Sequence, residues 1–131
     1  MVTGARGSRP RGQWPDVNTR EHNMNFHGIS TRFATTGSGS DAFKALYKDA
    51  FELMKHDPEN AGLYFVVGIA AQSYVRSYED QGVTGEFADR AKATLVNFNS
   101  KITEALASTS EKRLKLLGEI AIDYEWNVHD F

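Results

Sequence analysis

From Ser40 onward the apolar residues recur at three- and four-residue intervals in four runs, with turn residues falling between the runs. That periodicity predicts an all-α fold in which four helices, joined by short turns, pack as a four-helix antiparallel bundle. No strand is needed, although Val66 to Ile69 is rich in β-branched residues.

The first run covers about Asp41 to His56. Ser40 or Asp41 can cap it, and Phe43, Leu46, Tyr47, Ala50, Phe51, Leu53 and Met54 make one apolar side. Pro58 ends it, because a residue before proline disfavours the helical region. The second run covers about Glu59 to Asp80. Its middle, Leu63 to Ala71, is apolar on every side and predicts a central helix, with the extra face read either as core of one chain or as a homo-oligomer seam. Thirteen residues from Leu63 to Val75 are too few to cross a bilayer, which needs about 20, so no membrane partner is expected. Gly68, Ala70 and Ala71 permit a neighbouring helix to approach closely.

Thr84 is suited to cap the third run, in which Phe87, Ala91, Leu95, Phe98, Ile102, Ala105 and Leu106 form the apolar side. The run should end near Ala107. There Ser108-Thr109-Ser110-Glu111 offers a Ser-x-x-Glu capping box for the fourth run, which carries Leu114, Leu116, Leu117, Ile120, Ala121, Ile122 and Tyr124 and is expected to fray after Trp126.

Residues 1–39 differ in kind from the domain expected at 40–131. They hold six of the eleven glycines, two of the three prolines, five arginines and no lysine. Five arginines against Asp16 and Glu21 give +3, which leaves −5 on the remainder of a chain whose net charge is −2. The large apolar residues Val2, Trp14, Val17, Met24, Phe26, Ile29 and Phe33, taken together, keep no helical or strand period, so the stretch is expected to be a flexible, disordered Gly/Arg-containing tail. Arg6, Arg9 and Arg11 suggest a nucleic-acid arm, but three arginines neutralise too few phosphates to bind tightly, and nucleic acid is a disfavoured partner. Residues 1–23 also read as non-native coding sequence ahead of a start at Met24. No signal-type apolar run follows the arginines, so a cytoplasmic location is expected.

Chemistry is constrained mostly by what is missing. Without cysteine, the chain offers no disulfide, no thiol nucleophile and no cysteine metal ligand. Glu-x-x-His, the inward-facing pair of di-metal bundles, does not occur; Glu52 with His56 and Glu125 with His129 are four apart instead. Phosphate-loop and nucleophile-elbow patterns are also missing, and Glu79-Asp80 are helix neighbours that face apart. The reading is of a protein that is not an enzyme and needs no cofactor, with no catalytic and no metal-binding residues assigned. Lys112, Arg113 and Lys115 read as a solvated helix face rather than a recognition helix.

The C-terminal stretch Asp123-Tyr124-Glu125-Trp126-Asn127-Val128-His129-Asp130-Phe131 places three aromatics among acids. Trp and Tyr are enriched where proteins dock, which makes Tyr124, Trp126 and Phe131, with Tyr74 and Tyr78, the candidate partner-binding residues. The opposing reading has these aromatics fold back over Tyr74 and Tyr78 to close the bundle. The expectation is a small acidic helical protein that acts through contact with another protein or a second copy, as an adaptor, assembly factor, chaperone or neutralising partner. The alternative is a ligand- or metal-binding bundle using Tyr64, Tyr74, Tyr78, Glu125 and His129.

Overall fold

The computed structural model describes residues 25–128, and every element among them is helical. Among the described residues five helices are present rather than four. They are α1 (Phe26–Thr35), α2 (Ser40–His56), α3 (Ala61–Tyr78), α4 (Gly85–Leu106) and α5 (Ser110–Asp123). A 3₁₀ turn, Pro58–Asn60, leads into α3, and a π-helical turn, Tyr124–Val128, extends α5. Consecutive helices pack on one another, α1 also lies on α4, and α5 also touches α3.

The additional helix lies in the stretch expected to be a tail. Considered alone, Phe26, Ile29 and Phe33 are spaced by three and four, which is a helical stripe, and all three are buried. The polar residues before Phe26 obscure that short period when residues 1–39 are read as one segment. Asn25 caps α1 by accepting from the Gly28 amide at 3.0 Å. Ten residues are too few for a helix to persist alone in water, so tertiary packing holds it. Phe33 meets Phe43 edge-on at 5.2 Å, and Phe26 stacks on Tyr64 at 5.9 Å. Arg32 pairs with Asp49 on α2, while Lys92 on α4 donates to the Thr36 carbonyl and lies over the Phe33 ring. Arg6, Arg9 and Arg11 lie outside the described residues.

The expected punctuation recurs with small shifts. Gly39, not Ser40 or Asp41, is the N-cap of α2, and the helix ends at His56, with Asp57 as its C-cap before Pro58. Thr84 caps α4 by accepting from the Phe87 amide at 3.1 Å. For α5 the capping residue is Thr109, which accepts from the Lys112 amide at 3.2 Å, so the cap lies one residue beyond the expected Ser108 box.

α3 is the central helix. It buries Leu63, Tyr64, Val67, Gly68, Ala70, Ala71, Tyr74 and Val75. Gly68 sits beneath Phe51 of α2, and a Cβ there would clash with one edge of the Phe51 ring, so glycine sets how closely these two helices approach. The helix is not covered all round, because Phe65 is about half exposed. One core position is polar: Asn99 on α4 is buried, and its side-chain amide has no hydrogen-bond partner. No described helix is long and apolar enough to cross a membrane.

Candidate functional site

The five residues singled out for partner binding separate into different environments. Tyr74 is 3% exposed and stacks on Phe43 at a centroid distance of 4.2 Å. Tyr78 and Phe87 extend that group, with Tyr74–Tyr78 at 5.3 Å and Tyr78–Phe87 at 4.9 Å. Burial, reinforced by Tyr78, raises the Tyr74 pKa, so the neutral phenol is retained. This aromatic group is core, fixing α2, α3 and α4 to each other. Tyr124 is half-buried, its ring 6.3 Å from Phe98 and its hydroxyl sharing a 3.3 Å hydrogen bond with Ser73. Tyr124 therefore folds back onto the bundle, and Val128 beyond it is buried as well. Trp126, between them, points outward and is 77% exposed. Phe131 and His129 lie outside the described residues.

Trp126 has apolar company among the residues that the fourth run carries. Leu114 is 71% exposed and Ile122 is 63% exposed. Leu114, Gly118 and Ile122 recur every fourth residue on α5 and lie in one row along the helix, and Trp126 follows four residues later in the π-helical turn. The opposite side of α5 carries Ile120, its one buried residue, with Leu116 and Leu117 partly covered. α5 is thus apolar on two faces, and only one of them is packed by described residues. The four-residue spacing was visible in the sequence; that it faces solvent depends on which side the other helices occupy.

The inner side is fixed by polar contacts at both ends. Near its start, Arg113 donates to the Ala105 carbonyl at 3.3 Å, in the last turn of α4, and to the Ser108 carbonyl at 3.0 Å in the turn that follows. It also donates to Asn60 Oδ1 at 3.0 Å, while Asn60 and the Tyr64 hydroxyl donate to Asp57 at 2.8 and 2.6 Å. The Tyr64 pKa is raised, first by burial and then by the Asp57 carboxylate that accepts its proton. Arg113 is turned into this network, so the basic trio at 112–115 does not act as one outward cationic face. Near the end of α5, Lys101 on α4 pairs with Asp123 at 3.1 Å, and Asn127 donates to Asp123 at 2.8 Å. The Asn127 amide, and after it Lys101, hold the Asp123 carboxyl below its ordinary range despite partial burial.

Of the residues of the ligand-binding alternative, Tyr74 and Tyr78 lie together, Tyr64 lies apart from them, and His129 is outside the described residues. Tyr64 and Tyr74 are ten residues apart on α3, about 15 Å along its axis, and each is committed to a different buried group. No group of three or more metal-ligating side chains occurs among the described residues. Glu52 and His56 form an exposed pair at 3.3 Å across one helical turn. Comparison with protein-family models, curated proteins and solved structures finds no match to this chain.

Proposed function

We propose that this protein is not an enzyme and works by protein–protein contact through the outer face of α5. The observation that carries the reading is the row Leu114, Ile122 and Trp126: three large apolar side chains mostly in solvent, on a helix whose other side is already anchored. Scattered exposed apolar residues are ordinary, but an aligned row with a tryptophan is the composition of a helix that lies in a partner's groove. Trp126 brings the largest contact area and an indole N–H suited to an interface rim. Such a surface suits an adaptor, an assembly factor, a chaperone or a neutralising partner, and a cysteine-free chain accords with a cytoplasmic setting.

Native mass spectrometry of the untagged protein from its source, compared with Ile122→Asp and Trp126→Ser variants, tests the reading. The expected result is a complex in the parent protein that both variants lose, with far-UV circular dichroism unchanged. A complex that survives both substitutions places the contact elsewhere, and a bare monomer carrying a fixed small-molecule adduct turns the reading toward ligand binding.

A further inference from the structure

We infer that the chain's own N-terminal segment docks on the outer face of α5, with Trp14 seated between Leu114 and Gly118, so that a partner of this face must displace it. This rests on the contact reading above and adds what regulates the contact. Where the described chain begins, which apolar residues precede it and the order of charges along α5 all point to this occupant.

The chain enters the bundle at the end where α5 starts. Lys92, in the first half of α4, donates to the Thr36 carbonyl just beyond α1, and Ser38 donates to Asp89 at 2.7 Å, so α1 runs antiparallel to α4. At the opposite end of α1 the Phe26 ring stacks on Tyr64, whose hydroxyl donates to Asp57, and Asn60 joins Asp57 to Arg113 in the first turn of α5. The ten residues between Trp14 and Asn25 span up to about 33 Å, against roughly 10 Å for the width of a helix, so Trp14 reaches the outer side of α5 with α1 in place. An occupant tethered so closely meets the face at an effective concentration of order 1 mM, which an unattached one must exceed by affinity.

Pro10 and Pro15 bias Arg9 and Trp14 away from helical dihedrals. An extended run of polyproline type rises about 3.1 Å per residue and sets residues three apart on one edge, which groups Arg11, Trp14 and Val17. On α5, Gly118 leaves a notch in the row between Leu114 and Ile122, since no described heavy atom lies within 4 Å of the place its Cβ would take. An indole seated there lies against large apolar side chains that no described residue covers.

The exposed charges along α5 run Lys112 and Lys115, then Glu119 and Glu125. From Asn25 back toward the N-terminus the segment presents Glu21 and Asp16, then Arg11, Arg9 and Arg6. Basic then acidic on the helix meets acidic then basic on the segment when the two run antiparallel, which is the direction that the point of entry sets. With Trp14 midway between Leu114 and Gly118, Asp16 falls about 6 Å nearer the start of α5, level with Lys112, and Arg11 falls about 9 Å nearer its end, between Glu119 and Glu125. Glu111 and Arg20 break the order, and they are opposite in sign at the same end.

Disulfide trapping in the full chain tests this, because the chain has no cysteine of its own. Two cysteines join only where their Cα atoms come within about 7 Å. Asp16→Cys/Lys112→Cys is expected to oxidise in air-saturated buffer at least ~10-fold faster than Asp16→Cys/Glu125→Cys, at a rate independent of protein concentration. Equal rates, or a bond that forms only between chains, overturn the inference. Without introduced cysteines, Arg11→Glu is expected to shift tryptophan emission to the red and Arg11→Glu/Glu119→Arg to restore it, with far-UV circular dichroism unchanged. Emission that Arg11→Glu leaves where it was overturns the inference as well, as does a protein from the source that begins at Met24 and so lacks the segment. If trapping shows no preference while the native complex is still lost on Ile122→Asp, the contact reading stands and the docked segment falls. If trapping follows the register while the complex survives Ile122→Asp and Trp126→Ser, the docked segment stands and the partner binds elsewhere.

Discussion

α1 and α5 show how little helix length says about a helix's part in a fold. α1 has ten residues and commits every large apolar side chain it owns, Phe26, Ile29 and Phe33, to the core. α5 has fourteen and buries one, Ile120, while Leu114 and Ile122 remain in solvent. The shorter helix is wedged against both α2 and α4; the longer lies along one edge, held by Arg113 at its start and the Asp123–Lys101 pair at its end. Asn99 completes the inversion, since an unpaired amide is inside while leucine and isoleucine are outside. Burying one apolar side chain fully is worth about 1.5–3 kcal/mol, so three such residues on α1 carry more stability than the outer row of α5 can.

The sharpest break of that comparison is to truncate one residue on each helix. Phe33→Ala is expected to lower unfolding free energy by about 3–5 kcal/mol in urea titration, and Ile122→Ala to change it by no more than about 0.5 kcal/mol. Equal losses would show that α5's outer row is core in solution. Tyr64→Phe removes the hydrogen bond to Asp57 at the junction where α5 begins, for an expected loss of about 1.5–3 kcal/mol. Because the folded-state pKa of Tyr64 is raised, by burial first, its contribution is fully present below about pH 10 and is lost as pH rises through the raised value. Alkaline titration of stability should therefore fall less steeply in the phenylalanine variant.

Asn99→Leu tests the inverted core position, and replacing the unpaired amide by an apolar group of similar size should raise stability by about 1 kcal/mol. A loss would mean that the amide has a partner in solution, such as a buried water. The two glycines sharpen the contrast further. Gly68→Ala forces the Phe51 ring aside and should destabilise by about 1–2 kcal/mol, whereas Gly118→Ala gains helix propensity in open space and should stabilise the monomer by about 0.5–1 kcal/mol, both read by thermal melts. The smallest effect concerns Asp123. Its folded-state pKa is depressed, so the stability it contributes is present above the ordinary carboxylate value and is lost as pH falls below about 4 through the folded value. Emission of the neighbouring Trp126 should report that acid change, and Asp123→Asn should abolish the step.

What the sequence determined by itself is the helical class and most of its punctuation. Pro58 ends α2, Thr84 opens α4, and the run from Leu63 to Val75 becomes the central helix, because dihedral limits, capping hydrogen bonds and apolar period are local properties. Of the candidate site, Trp126 and the closing role of Tyr124 were legible as alternatives for one aromatic segment, and contact with Ser73 and Phe98 distinguishes the inward ring from the outward one. Only the tertiary structure decided that Phe26, Ile29 and Phe33 belong to the core and that Leu114, Gly118 and Ile122 do not. Periodicity records which residues share a face of a helix; whether that face meets protein or water is set by segments far away in the chain. For α1 that is Phe43 and Tyr64, and on α5's outer side no described residue supplies it.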